Sequence, residues 1–142
     1  MTGISPLAIA RIGEQLIHQA LPQAQWVNVI HESGKSHDIE WEGINIDVKT
    51  ASQRKRVSQG YVFSSGKKWD TDAVYVFVGL GSEINYYWVE ADSSITPCYK
   101  SIKNAIELKD LPQAIRDAEE VRKVLPRRGS PKEQMLEESK IQ

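Results

Sequence analysis

The sequence predicts a mixed fold of the α/β or α+β class, with an N-terminal helix, a central mixed sheet of about five strands and C-terminal helices. Apolar residues recur at helical spacing near the N-terminus, several short runs alternate apolar and polar residues, and helical spacing returns from residue 111. With 142 residues, 40% of them apolar and 26% charged, the chain resembles an ordinary globular protein in length and composition. We expect one domain over residues 1–125, followed by a tail, residues 126–142, that forms a short helix or is disordered.

The first element is a helix that begins after Ser5, which can cap it, with Pro6 in the first helical position. Its apolar stripe ends before Pro22 and consists of Ile9, Ile12, Gly13, Leu16, Ile17 and Ala20. Glu14 lies at the edge of this stripe. It is either a solvated helix residue or a third carboxylate directed at the site that the following strands form.

Strands are expected next at residues 26–31, in two alternating runs within residues 36–49, and later in the chain. Residues 73–78 are nearly all apolar and predict a central strand covered on both sides, with residues 84–89 returning as its neighbour. The basic, polar stretch after Lys49 is interpreted as a loop that ends near residues 61–63. The last helical pattern begins at Leu111 and stops at Pro126.

The two alternating runs predict a β-hairpin with Glu42 and Gly43 as its two-residue loop. This register pairs Trp41 with Ile44, Glu40 with Asn45 and Ile39 with Ile46, and it places every apolar residue on one face. It also places Asp38 across from Asp47, with Cβ atoms about 4.5–5.5 Å apart. Like charges repel in that position, and a bound divalent cation would offset the repulsion.

An aspartate opposite an Asp-x-Lys triplet predicts a site that hydrolyses phosphodiesters. Mg²⁺ takes oxygen ligands and is commonly held by one or two carboxylates plus substrate phosphates. Lys49 shares a face with Asp47, where its ammonium can reach a phosphate or an attacking water. The triplet alone is weak, because Glu107-Leu108-Lys109 and Glu138-Ser139-Lys140 also match it. Only Asp47-Val48-Lys49 lies on a patterned strand opposite another aspartate.

The order of a helix bearing Glu14, then Asp38, then Asp47-x-Lys49 resembles the PD-(D/E)XK nuclease superfamily over about residues 5–90. Residues 72–78 and 86–89 look like the paired strands that follow the lysine in phage, restriction-like and homing endonucleases. The loop at residues 32–36 is similar to that of archaeal Holliday-junction resolvases. The chain departs from the family pattern in having His37 rather than proline before Asp38, and aspartate rather than the commoner glutamate as the second acid.

The resemblance implies a restriction-endonuclease-like core and a Mg²⁺-dependent DNA endonuclease, with Mn²⁺ as a possible substitute. It implies that Asp38 and Asp47 are metal ligands, that Lys49 positions the water and that Glu14 is an auxiliary ligand. We expect the backbone carbonyl of Val48 to join the metal ligands. Cutting both strands of a duplex needs two such sites, so we expect a homodimer. The alternatives are a structure-specific resolvase of four-way junctions and a catalytically silent nucleic-acid-binding or protein-interaction module.

The remaining candidate residues lie outside the hairpin. Residues 48–69 contain no acidic residue, and five of their basic residues are predicted to contact the DNA backbone, with a solvated loop as the alternative: Arg54, Lys55, Arg56, Lys67 and Lys68. Trp69 could stack on a base or anchor its loop. His31 and His37 are expected to be ordinary strand and loop residues rather than metal ligands.

Composition limits the class of protein. The sole cysteine, Cys98, excludes a disulfide framework and a cysteine-based zinc site, and it is expected to be a small buried residue. No apolar run approaches the length of a membrane span, about 20 residues. The N-terminus has no basic segment before an apolar one, so we expect a cytoplasmic protein without a signal peptide.

Overall fold

The structure, a computed structural model, describes residues 5–27, 38–63, 73–91 and 98–125. In these ranges, two helices pack on one face of a five-stranded sheet and a three-stranded sheet packs on the other. The helices and strands are α1 (Pro6–Ala20), β1 (Gln25–Trp26), β2 (Ile39–Trp41), β3 (Ile44–Ala51), β4 (Arg56–Val57), β5 (Gly60–Phe63), β6 (Val74–Gly79), β7 (Tyr86–Glu90), β8 (Cys98–Ser101) and α2 (Leu111–Val124). Short 3-10 helices lie at Gln53–Lys55, Ile102–Asn104 and Leu108–Asp110. The described helices span 15 and 14 residues, and neither has the length and apolarity needed to cross a bilayer.

Helix α1 begins as predicted, with the Ser5 hydroxyl accepting a hydrogen bond from the Ala8 amide at 3.2 Å and Pro6 in the first turn. The buried stripe is narrower than predicted, because Ile12 is 36% exposed whereas Ile17 is fully buried. Gly13 lies directly against β3: a Cβ atom at this position would be 1.8 Å from Thr50 Oγ1. A side chain here would therefore separate helix and sheet.

The five-stranded sheet has the order β1-β2-β3-β6-β7. The predicted hairpin register is confirmed, with Trp41 paired to Ile44 and Ile39 to Ile46. Both loop residues have positive φ, 51° at Glu42 and 76° at Gly43, as a tight hairpin turn requires. Strand β3 is parallel to β6 and the other pairs are antiparallel, so the sheet is mixed. The prediction of β6 as a central, fully covered strand with β7 as its neighbour is also confirmed.

Two cores lie on the two faces of this sheet. The first joins Ile46, Val48 and their neighbours to Ile17 of α1 and to Leu111 and Ile115 of α2. The second is largely aromatic and consists of Ala51, Tyr61, Phe63, Tyr75, Phe77 and Trp88. Because Asp47, Lys49 and Ala51 alternate with Val48 along β3, the two charged residues share the face of the aromatic core.

The hairpin is also tied to α2. Arg116 donates two hydrogen bonds to Glu42 in the hairpin turn, at 2.9 and 2.8 Å, and its guanidinium lies 4.8 Å from the centre of the Trp41 ring. The Trp41 indole in turn donates to the Pro22 carbonyl at 3.0 Å, after the end of α1. Helix α2 therefore contacts the turn that sets the register of β2 and β3, and the segment after α1 contacts the residue before that turn.

Two interpretations of the sequence were wrong. The stretch after Lys49 is not one loop: β3 continues to Ala51, and a 3-10 helix then leads into the β4–β5 hairpin of the second sheet. The order of that sheet is β4-β5-β8, and β5 is held by packing of Tyr61 and Phe63 on the aromatic core. The strand expected over residues 26–31 is confined to Gln25–Trp26 in the described part, and Val27 is already helical. Residues 28–31, 64–72 and 126–142 lie outside the described ranges.

Candidate active site

Asp38, Asp47 and Lys49 lie together where β2 begins and along β3. The Lys49 Nζ is 3.1 Å from Asp47 Oδ1, an ion pair whose side chains are only 17% and 10% exposed. The two residues are separated by one position and point to the same face, as the alternation of the strand predicts. The expected Asp-x-Lys group is therefore present on one face of β3.

Asp38 differs from the expected arrangement, a direct cross-strand pair with Asp47. Strand β2 begins one residue later, and the Asp38 amide donates to the Ile46 carbonyl at 2.9 Å instead of pairing with Asp47. The Asp38 Oδ2 accepts a hydrogen bond of 2.7 Å from the amide of Val48. The Val48 amide and the Lys49 ammonium thus offset the charges of the two aspartates. The amide and carbonyl of a strand residue point toward the same neighbouring strand, so the Val48 carbonyl also faces the Asp38 side.

The surroundings of this group follow from the register of the sheet. Asp47 is paired with Tyr75, and Tyr75 with Glu90 on the next strand. Lys49 is paired with Phe77, which belongs to the aromatic core. One side of the Asp47–Lys49 pair is therefore apolar and shielded from water, where charges interact more strongly than at an exposed surface.

Glu14 lies in the layer of helices, on the side of the sheet opposite the Asp47 side chain. Its carboxylate is buried, accepts a hydrogen bond of 2.8 Å from the Trp26 indole and lies 3.9 Å from the Arg11 guanidinium. Its neighbour Gly13 contacts Thr50, whose side chain points to the face opposite Asp47. The burial argues against the interpretation of Glu14 as a solvated residue, while its role as an auxiliary ligand stays a prediction.

The oxygen donors suit one class of metal better than others. Within the ranges given above, no three His, Cys, Asp or Glu side chains form a group that could hold a metal ion. What remains is Asp38 and Asp47, with the Asp38 carboxylate bonded to the amide of the residue after Asp47 and the carbonyl of that residue on the same side. This small, all-oxygen set matches Mg²⁺, which keeps several waters and completes its shell with phosphate oxygens. It does not match zinc, which requires three or four ligands, mostly nitrogen and sulfur. His31 and His37 lie outside the described ranges.

The predicted basic residues are only partly described. Arg54 and Lys55 lie on the 3-10 helix that follows β3, Arg56 begins β4, and all three are exposed. Strand β3 ends four residues after Asp47, about 13 Å away at the usual rise per residue. These basic residues are therefore near the site without touching it. Lys67, Lys68 and Trp69 lie outside the described ranges.

Sequence reasoning missed two charged residues that face the aromatic core. Lys100 of β8 forms an ion pair with Glu90 of β7, and its Nζ is 4.6 Å from the centre of the Phe77 ring. Their placement depends on pairing of β5 with β8 and packing between the two sheets, and no local pattern in the sequence indicates it. Cys98, expected to be buried, is only partly so.

Comparisons of the chain with protein-family models, with curated proteins and with solved structures find no match.

Proposed function

We propose that this protein is a Mg²⁺-dependent DNA endonuclease with a restriction-endonuclease-like core, in which Asp38, Asp47 and Lys49 form the active site. One observation carries the proposal. The Lys49 ammonium lies 3.1 Å from the Asp47 carboxylate, and the carboxylate of Asp38 is bound to the amide of Val48, the residue between them. Two acids and a lysine are thereby concentrated around three consecutive residues of one strand.

A purely structural role accounts poorly for this group. Removing a charged pair from water costs more free energy than a single ion pair commonly returns, so such pairs add little to stability. Here Asp47 and Lys49 are mostly shielded, and a second acid is beside them. Charged groups kept in such surroundings are candidates for a functional site.

The residues have distinct roles in the proposed reaction. Asp38, Asp47 and the Val48 carbonyl would hold the metal ion. A bound Mg²⁺ lowers the pKa of a coordinated water and stabilises negative charge on the phosphate under attack. Lys49 donates hydrogen bonds to the attacking water or to a phosphate oxygen, and Asp47 orients its ammonium. Glu14 acts as an auxiliary residue, and the exposed Arg54, Lys55 and Arg56 follow the DNA backbone.

The test is cleavage of supercoiled plasmid and of a four-way junction, with Mg²⁺ and with EDTA. The decisive variant is Lys49→Ala, and the chain supplies a matched control in Lys109→Ala. Lys109 also ends a triplet of an acid, any residue and a lysine, and it pairs with Glu107 at 3.2 Å, but both side chains are more than 70% exposed. We expect cutting with Mg²⁺ only, lowered at least about 100-fold in Lys49→Ala and unchanged in Lys109→Ala.

Other outcomes would change the proposal. Cutting that persists in EDTA or in Lys49→Ala would refute the assigned site. Binding of DNA without cutting, together with no heat of Mg²⁺ or Mn²⁺ binding in calorimetry, would favour the silent binding module. A heat that is present in the unmodified protein and absent in Asp47→Ala would support the metal ligands independently of activity. Preference for the junction over the plasmid would identify a resolvase, and linear plasmid formed directly would support the expected homodimer.

A further inference from the structure

The face that carries Asp47 and Lys49 continues across two more strands. Asp47 pairs with Tyr75 and Tyr75 with Glu90, so two carboxylates lie on the same face with a buried tyrosine between them. Two residues further along β3, on the same face, Lys49 pairs with Phe77. The far end of this face therefore has its own charged residues, two strands away from the candidate active site.

Lys100 reaches this face from the second sheet. Its Nζ lies 4.6 Å from the centre of the Phe77 ring and forms an ion pair with Glu90, while the side chain is only 12% exposed. Phe77 thus has Lys49 beside it on one side and the Lys100 ammonium above its ring. Two lysines therefore line this mostly buried face, each paired with a carboxylate: Lys49 with Asp47 and Lys100 with Glu90.

We propose that Lys100 binds a backbone phosphate of the DNA strand whose cleavage is assigned to Asp38, Asp47 and Lys49, an inference that rests on the proposed function. Neighbouring strands are about 4.8 Å apart, so β3 and β7 are separated by about 10 Å. The rise of B-DNA is about 3.4 Å per nucleotide along one strand, so this distance spans about three nucleotides. Lys100 is therefore placed to hold a phosphate about three nucleotides from the scissile one, and Glu90 is its partner when no DNA is bound.

The shape of the surface permits this contact. Lys100 and Glu90 border a cavity of about 310 Å³, whose wall also includes the exposed ring of Tyr99 and the side chain of Asn104. The cavity opens to the surface, so a phosphate can approach the ammonium without separating the two sheets. Glu90 is the more exposed partner, at 37%, and can move away from Lys100 when an anion replaces it.

The alternative is a structural clamp, because the Lys100–Glu90 pair joins β8 of one sheet to β7 of the other. The two roles predict different effects of neutralising each partner. A clamp loses stability whichever partner is neutralised, and DNA affinity stays constant. A phosphate contact responds with opposite signs: removing the lysine weakens DNA binding, whereas removing the competing glutamate strengthens it.

The experiment measures binding of a fluorescent DNA duplex in EDTA, so that cleavage does not interfere, between 50 and 200 mM salt. The variants are Lys100→Gln and Glu90→Gln, with Lys109→Gln as the matched control. Losing one phosphate contact lowers the slope of log affinity against log salt by about 0.9. The affinity deficit of Lys100→Gln should therefore shrink about threefold between the two salt concentrations. Glu90→Gln should bind DNA more tightly than the unmodified protein, and Lys109→Gln should match it.

Thermal unfolding of each variant accompanies the binding curves. If Lys100→Gln does not fold, Lys100→Arg keeps the charge and should retain the full salt slope, and Glu90→Gln still tests the sign. Unchanged affinity and slope in both Lys100→Gln and Glu90→Gln, with lower stability, would overturn the inference and leave the clamp. Absence of DNA binding by the unmodified protein would instead refute the proposed function, so the two failures are distinguishable.

Discussion

The contact between Gly13 of α1 and Thr50 of β3 leads to a stability prediction that can be worked out from the structure. A Cβ atom on residue 13 would lie 1.8 Å from Thr50 Oγ1 and 2.9 Å from both its Cβ and Cγ2. Rotation about χ1 moves Oγ1 and Cγ2 but leaves Cβ in place. In the variant Gly13→Ala, α1 must therefore move away from the sheet.

Two opposing terms set the magnitude. Overpacking a well-packed contact costs about 1–3 kcal/mol. The neighbour here is Thr50, which is β-branched and whose Cβ cannot rotate away, so we expect a cost in the upper half of that range. Replacing glycine by alanine within a helix returns about 1 kcal/mol. The net loss should be about 1–2 kcal/mol, which for a chain of this size lowers Tm by about 3–7 °C.

Calorimetric or spectroscopic unfolding provides the assay, and a second substitution checks the cause. Thr50→Ala removes Oγ1 and Cγ2, and the Oγ1 atom has no hydrogen-bond partner among the described residues, so this change alone should cost less than about 1 kcal/mol. In the double variant with Gly13→Ala, it should restore about 1 kcal/mol. Alanine at the exposed Gln19 of α1 serves as control and should alter stability by less than about 0.5 kcal/mol. A Gly13→Ala protein as stable as the unmodified one would refute the close approach of α1 to β3.

Three further predictions concern hydrogen bonds, two of them described above. Asp38→Asn keeps an acceptor for the Val48 amide, so it should abolish nuclease activity with little change in Tm. Asp38→Ala leaves that amide unpaired, so it should abolish activity and also lower the free energy of unfolding, measured with denaturant, by about 1–3 kcal/mol. The hydrogen bonds from Arg116 hold the pKa of Glu42 below its ordinary value. The stabilisation that this ion pair gives the folded protein is therefore fully present above the ordinary glutamate pKa of about 4.3. It is lost as the pH falls through the lowered pKa. The stability deficit of Arg116→Ala should therefore shrink on acidification, and a deficit independent of pH would contradict the ion pair. Trp88→Phe removes the 2.8 Å hydrogen bond from the Trp88 indole to the Ser101 carbonyl and some volume from the aromatic core. It should lower the free energy of unfolding by about 1–3 kcal/mol. An unchanged free energy of unfolding would show that this contact is not needed.

The hairpin could be predicted from the sequence because its determinants are local. The two-residue turn at Glu42–Gly43 and the alternation of apolar residues set the pairing of Ile39 with Ile46. The same alternation placed Asp47 and Lys49 on one face, and the structure confirms it with their ion pair. The continuous apolar run of β6 likewise identified a strand covered on both sides.

Other features depend on distant parts of the chain and could not be predicted in this way. The second sheet exists because β8 pairs with β5 and because Tyr61 and Phe63 find an aromatic surface on β6 and β7. Lys100 faces Phe77 and the aromatic core only as a consequence of that packing. The hydrogen bond from the Val48 amide to the Asp38 carboxylate depends on an irregularity at the start of β2, where the Asp38 amide bonds to the Ile46 carbonyl. A regular alternating strand pattern does not indicate this arrangement.

The parallel pairing of β3 with β6 has a consequence for folding kinetics. Asp38, Asp47 and Lys49 belong to a hairpin whose strands are adjacent in the chain, so their mutual contacts have low contact order. Ile46 and Val74, by contrast, are paired across a crossover that includes the whole β4–β5 hairpin, and closing this loop has a larger entropic cost. We therefore expect the acidic residues and the lysine to come together early in folding, and β6 to join β3 in a later, slower phase.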